Sequence, residues 1–151
     1  MAVYFLDTSA HVKHFHLEVG SDRIDAIFAE LDSSRFISQL GAAEIISALA
    51  TKIRMGELES PKLGLAKKQL LNEVSRRQVD VIRVLTRHFR QAEVLLQKHS
   101  TIKRLRTSDA IQLAIATDLS QRLGDVQFVC ADRILGEVAR EEGLAWIDPL
   151  Q

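Results

Sequence analysis

Four carboxylates in this chain of 151 residues stand at positions from which they could do chemistry together. Asp7 directly follows the apolar run VYFL, Val3 to Leu6, and Asp132 directly follows VQFVCA, Val126 to Ala131. Asp109 falls in the first turn of a helix that Thr107 or Ser108 can cap. Glu44 lies in LGAAEIISALA, where the only other polar side chain is Ser47. Each aspartate has a plain structural use as an N-cap or first-turn acid, worth roughly 0.5 to 2 kcal/mol. Glu44 has none, because an unpaired carboxylate in an apolar helix carries a heavy desolvation cost. Its helix and the flanking strand candidates offer only Arg35 and Lys52 as basic partners.

Carboxylates gathered at one rim repel each other unless a cation neutralises them. All-oxygen ligation, with no cysteine pair and no well-placed histidine pair, favours a hard ion, Mg²⁺ or Mn²⁺, over zinc. Lys and Arg total 20, balancing Asp and Glu at 20, but the balance hides a segregation. Between Thr51 and Arg106 stand 14 basic residues against five acids. An acidic metal cluster beside a basic segment suits a phosphate backbone: cations hold the strand, while metal ions activate water and stabilise the leaving oxygen. Lys103, Arg104 and Arg106, nearest the acids in sequence, are the candidates for gripping that backbone, against the plainer reading as solvated loop charges.

The elements that must position these groups follow from hydrophobic period. Val3 to Leu6 is a short strand, and Ile24, Ile27, Phe28 and Leu31 form one helical stripe. Phe36 and Ile37 mark a second strand, and Leu40 to Lys52 is a helix apolar enough to lie largely inside, stopped by Gly56. Pro61 opens the next helix, with Leu63, Ala66, Leu70 and Val74 at helical spacing. Val79 to Val84 is the third strand, followed by a helix from Thr86 to Lys98. A helix from Asp109 to Arg122 ends at Gly124, and Val126 to Ala131 is the fourth strand. Ile134, Leu135, Val138 and Ala139 stripe the last helix, Gly143 ends it, and Leu144 to Ile147 is a final strand. Strands separated by helices cannot pair as hairpins. They predict a three-layer α/β/α fold with a central parallel sheet of four to five short strands, ligands binding beyond the strands' carboxyl ends.

One soluble domain over residues 1–151 is expected from 46% hydrophobic and 26% charged residues. Cys130 alone excludes an internal disulfide and a cysteine zinc site, and reads as a small buried hydrophobe in a reducing compartment. No apolar run nears the ~20 residues that span a bilayer, and MAVYFLDTSA lacks a leader pattern, so a cytoplasmic protein without membrane contact is expected. His11 and His14 share a helix face at i, i+3, but with no carboxylate nearby in sequence beyond Glu18 they and His16 read as surface or partner-facing residues.

YFLDTSAHVKHF followed by EVGS, the GAAEIISAL helix, the LRTSDAIQLAIA helix and FVCADRIL with EEGLAWIDP resemble, in that order, PIN-domain proteins, especially the VapC-type ribonuclease toxins. The resemblance runs from Val3 to Pro149 and implies a PIN-like fold with Mg²⁺- or Mn²⁺-dependent endoribonuclease activity. It matches the family's four acids to Asp7, Glu44, Asp109 and Asp132, as catalytic and metal-binding residues, and places Thr8 and Ser9 beside the metal. On this reading Asp7, Glu44 and Asp109 hold the principal ion and Asp132 completes a second or transient site. The resemblance also implies an RNA substrate, a homodimer and a cognate antitoxin that blocks the acidic pocket. His11, Cys130 and Ala131 depart from the family pattern.

Two other classes compete. A haloacid-dehalogenase-like phosphatase needs a second aspartate two positions after Asp7, where Ser9 stands, and a receiver domain needs an extra acidic pair. A catalytically inactive RNA- or protein-binding module is the alternative within the same fold. Aromatic residues at 5% give it few stacking platforms.

Overall fold

Side-chain alternation along the first strand sorts the molecule into its layers. The computed structural model describes residues 1–151. Strand β1, Ala2–Leu6, sends Val3 and Phe5 into one apolar cluster and Tyr4 and Leu6 into another. Four further strands, β2 Ser33–Ser38, β3 Asp80–Ile82, β4 Gln127–Val129 and β5 Ala145–Ile147, complete a sheet in the order β3-β2-β1-β4-β5. Every pairing is parallel. The expected three-layer α/β/α architecture is the one observed.

Seven α-helices cover the sheet: α1 Thr8–His11, α2 Ser21–Ala29, α3 Gln39–Arg54, α4 Pro61–Ser75, α5 Thr86–His99, α6 Thr107–Leu123 and α7 Arg133–Glu141. A 3₁₀ turn, Val12–His14, continues α1. Helices α5, α6 and α7 pack with Val3, Phe5 and Phe128, where Phe5 and Phe128 stack at 5.8 Å between ring centroids. Ala10 of α1, Ile24 and Ile27 of α2 and Leu70 of α4 pack against Tyr4 and Leu6 on the opposite face. Pro61 begins α4, as its fixed φ favours.

Several expectations need correction. Helix α3 does not lie largely inside, since only Gly41, Ile45 and Leu49 are buried along one stripe. Helix α6 takes that place, with every residue from Asp109 to Ala116 buried. Both helices are apolar; the crossover into β4 lays α6 against the central strands and leaves α3 nearer the outside. Leu31 is fully exposed beyond the end of α2. Strands β3 and β4 are three residues each, shorter than their β-branched runs. Arg106, rather than Thr107 or Ser108, occupies the N-cap position of α6.

One glycine is dictated by packing. A Cβ at Gly136 of α7 would sit 2.0 Å from Cε2 of Trp146. The indole Nε1 of Trp146 donates to the Cys130 carbonyl at 2.9 Å, tying β5 to the loop after β4. Gly136→Ala should expel the ring, lowering stability by about 2 kcal/mol through overpacking and the lost hydrogen bond. Trp146 is the only tryptophan, so its fluorescence should shift to the red; an unchanged spectrum and melting temperature would refute the contact.

Candidate functional site

Parallel pairing brings the carboxyl ends of all strands to one edge. The chain builds β2 and β3 on one side of β1 and β4 and β5 on the other, so the connection reverses between β1 and β4. Crevices at such reversals bind ligands. Asp7 leaves β1 at this point, its backbone N–H still donating to the Val129 carbonyl of β4 at 2.9 Å.

Asp7 caps α1 and is buried. Its Oδ2 accepts the Ser9 backbone N–H at 3.0 Å and the Ser9 hydroxyl at 2.5 Å. The same Ser9 Oγ accepts the backbone N–H groups of Ala131 and Asp132 at 3.1 and 3.3 Å, so one hydroxyl ties the first acid to the loop carrying the fourth. Asp132 caps α7, its Oδ1 accepting the Leu135 N–H at 3.1 Å. The Cys130 thiol lies 3.7 Å from Asp7 Oδ2, and burial pushes its ionisation far up, which disfavours the thiolate.

Glu44, from α3, finds neutral donors rather than Arg35 or Lys52. Arg35 instead bonds the carbonyls of Ile27, Glu30 and Gln78, and Lys52 pairs with Glu18. The Thr8 hydroxyl donates to Glu44 Oε1 at 3.1 Å, and Gln112 Nε2 donates to the same oxygen at 3.0 Å and to Thr8 Oγ1 at 3.2 Å. Gln112 is buried in α6, and its Oε1 accepts the Ser38 hydroxyl at 2.6 Å. Gly41 packs closely beside it, and a Cβ there would stand 3.0 Å from Gln112 Nε2. Sequence reasoning missed Gln112. The signal was present: it is the only polar side chain between Ala110 and Ala116, the same argument that singled out Glu44.

Asp109 is buried at the third position of α6, and its Oδ2 accepts the Arg106 backbone N–H at 3.3 Å. Each of the four acids thus commits one oxygen to the protein, and the other takes no protein donor. Burial, with the charges of Asp109 and Glu44 adding to it against the Ser9 hydrogen bonds, raises the Asp7 carboxyl to about 6.

No three His, Cys, Asp or Glu side chains stand close enough to hold one metal ion between them. The donor set nevertheless fits a hard divalent cation in chemistry: acidic oxygens only, oriented by the protein, with mutual repulsion to relieve. A protein cation stands at one of the four acids. Arg106 Nε stands 3.2 Å from Asp109 Oδ2, because the cap position directs its side chain back over the first turn. The three basic candidates also differ. Lys103 is engaged by Glu137 and Glu141 of α7, whereas exposed Arg104 lines a cleft of about 240 Å³ with Arg106, Asp132 and Ile134.

The histidines belong elsewhere. His11 is buried, not on the surface, and stacks 5.7 Å from the Phe28 ring centroid. Burial, helped by His14, lowers its pKa to about 3. His14 is held between Asp25 and Glu73, each at 2.7 Å. Burial works against its charge, but the bonds to both carboxylates raise it above the ordinary range. This ion pair joins the 3₁₀ turn to α2 and α4.

A PIN domain family model matches residues 4–141. Solved structures agree on the fold at low identity. VapC20 of Mycobacterium tuberculosis, described as a Sarcin-Ricin loop cleaving toxin, aligns with TM-score 0.68 and 17% identity over 97% of this chain and 99% of that one. DNA-bound VapBC from Salmonella typhimurium aligns at 0.64 and 15% over 99% of each chain. A toxin-antitoxin complex from Klebsiella pneumoniae aligns at 0.58 and 14% over 99% of this chain and 98% of that one. No curated protein matches the sequence.

Proposed function

The chain belongs to the PIN domain family, and from that premise we propose that it is a divalent-metal-dependent endoribonuclease acting as the toxin of a toxin-antitoxin pair. The observation that supports the reading is that Asp7 and Asp132 follow the strands at the β1–β4 reversal, with Glu44 bonded to Thr8 next to Asp7, and each of the four acids keeps one oxygen free of protein donors. Asp7, Glu44, Asp109 and Asp132 would hold Mg²⁺ or Mn²⁺. Such an ion, when bound, supplies charge neutralisation at the phosphodiester and activation of a water.

The chain's own residues prepare that chemistry. Ser9 holds Asp7 and the Asp132 loop in register, and Thr8 with Gln112 turns Glu44. Arg104, exposed beside Asp132 and engaged with no acid, suits a substrate phosphate. No helix is long and apolar enough to cross a membrane, and the proposal places the protein in the cytoplasm. It includes a cognate antitoxin and a homodimer, for which exposed Leu65 and Leu71 of α4 offer apolar surface.

Purified protein incubated with total cellular RNA should generate new 5′ ends with Mn²⁺ or Mg²⁺ and none with EDTA, read by sequencing those ends. RNA binding without cleavage under either ion would replace this reading with the inactive binding module.

A further inference from the structure

Arg106 is the one basic side chain paired with any of the four acids. The pairing is loose in two respects. Its 3.2 Å contact exceeds the roughly 2.7 to 2.9 Å of a strong charge-assisted hydrogen bond. The Arg106 side chain is also 64% exposed, whereas that of Asp109 is 10% exposed. Helix capping does not require the arm, because the Arg106 backbone N–H reaches Asp109 Oδ2 by itself. The side chain is therefore an additional cation placed on a buried acid from the solvent side.

Its charge is felt beyond Asp109. The hydrogen bond and charge of Asp109 hold the guanidinium above the ordinary arginine range, and Asp132 and Glu44 add to the same effect. Arg106 contacts Asp109 directly and also lines the cleft that holds Asp132. The neighbouring bases are not equivalent: Lys103 is taken by α7, and Arg104 pairs with no acid.

We propose that Arg106 is the resident counter-cation of the carboxylate site, balancing the acids when no metal ion is bound and leaving Asp109 when one enters. This rests on the reading of the site as a divalent-metal centre. Metal binding is then an exchange of one cation for another. An arm tethered at the cap of α6 competes at high effective concentration but through an exposed, weak contact, which a divalent ion can displace. Once displaced, the guanidinium stands beside Arg104 at the Asp132 cleft, where a phosphate oxygen can replace Asp109 as its partner.

The test is a titration of metal-free protein with Mn²⁺ alone, without RNA, following the electron paramagnetic resonance signal of free Mn²⁺. Wild type, Arg106→Gln, Arg106→Lys and Asp7→Asn are compared, with thermal melts to show that each is folded. Wild type should bind Mn²⁺ in a manner that Asp7→Asn weakens. Arg106→Gln should bind roughly threefold tighter or more, since the competing charge is gone. Arg106→Lys, which keeps the charge, should stay near wild type. Unchanged or weaker binding by Arg106→Gln, with wild-type binding still dependent on Asp7, overturns the counter-cation and leaves the metal centre standing. Equal tightening by Arg106→Lys also overturns it, because charge is then not the cause. Failure of every variant to bind Mn²⁺, or binding indifferent to Asp7→Asn, overturns both readings.

Discussion

Asp7→Asn should sharply lower ion-dependent RNA cleavage and, at neutral pH, make the metal-free protein more stable than wild type. The loss of activity should be on the order of a thousandfold, because each 1.36 kcal/mol of lost transition-state stabilisation is about tenfold in rate. The gain in stability follows from the Asp7 carboxyl, which ionises near 3.8 unperturbed and at about 6 in the fold. A raised carboxyl binds its proton more tightly when folded. Its contribution is therefore fully present below about pH 4 and is lost as pH rises through about 6. At pH 7.5 the buried charge costs the metal-free fold about 2 to 3 kcal/mol, which asparagine avoids while still accepting from Ser9. Calorimetry in EDTA should show the variant melting about 5 to 10 °C higher at pH 7.5, with the difference gone near pH 4. Excess Mn²⁺ should reverse the order by stabilising wild type selectively. A variant that melts lower than wild type in EDTA at pH 7.5 would refute the burial argument.

Gln112→Leu should have the largest cost to stability at the site. The substitution keeps most of the volume in α6 but leaves the Ser38 hydroxyl, Thr8 Oγ1 and Glu44 Oε1 each short of a partner. Buried groups deprived of a hydrogen bond cost about 1 to 3 kcal/mol each. A total near 3 kcal/mol is expected after local relaxation, read as a lower urea midpoint with an unchanged slope. Cleavage should fall as well, because Glu44 loses the donor that turns it. Gln112→Glu separates the two effects. It restores the shape but sets a second carboxylate 3 Å-scale from Glu44, so its defect should be relieved by Mn²⁺, whereas that of Gln112→Leu should not. Ion rescue of Gln112→Leu would mean that Gln112 acts through charge rather than through the hydrogen bonds.

The acids show how far residues alone carried the argument. Asp7 and Asp132 were legible because each follows a β-rich run, and parallel strands must end at one edge. Glu44 was legible because an apolar helix has no reason to carry it. The strand argument holds, since Asp7 leaves β1; the premise of a buried α3 does not, and part-buried Glu44 finds its partners in Thr8 of α1 and Gln112 of α6. Gln112 was open to the same reasoning and was passed over, since an amide carries no formal charge to demand a partner.

Other features had no local signal. His14 looked unpartnered because Glu73 lies 59 residues away, on a helix that only packing brings to it. Arg106 and Lys103 are neighbours in a basic loop, yet one turns to Asp109 and the other to Glu137 and Glu141, according to where α7 passes. Helices α3 and α6 were nearly alike in apolar content, and their burial was decided by position over the sheet.

Periodicity, turn residues and the type of each side chain determined the strands and helices, because those depend on interactions within a few residues, and strands separated by helices then required a parallel sheet whose strands end at one edge. Only the tertiary structure decided which helix lies in the middle, which neutral groups hold Glu44 and which cation sits on Asp109. Those contacts join segments far apart in the chain, and their energies arise only when the layers close around them.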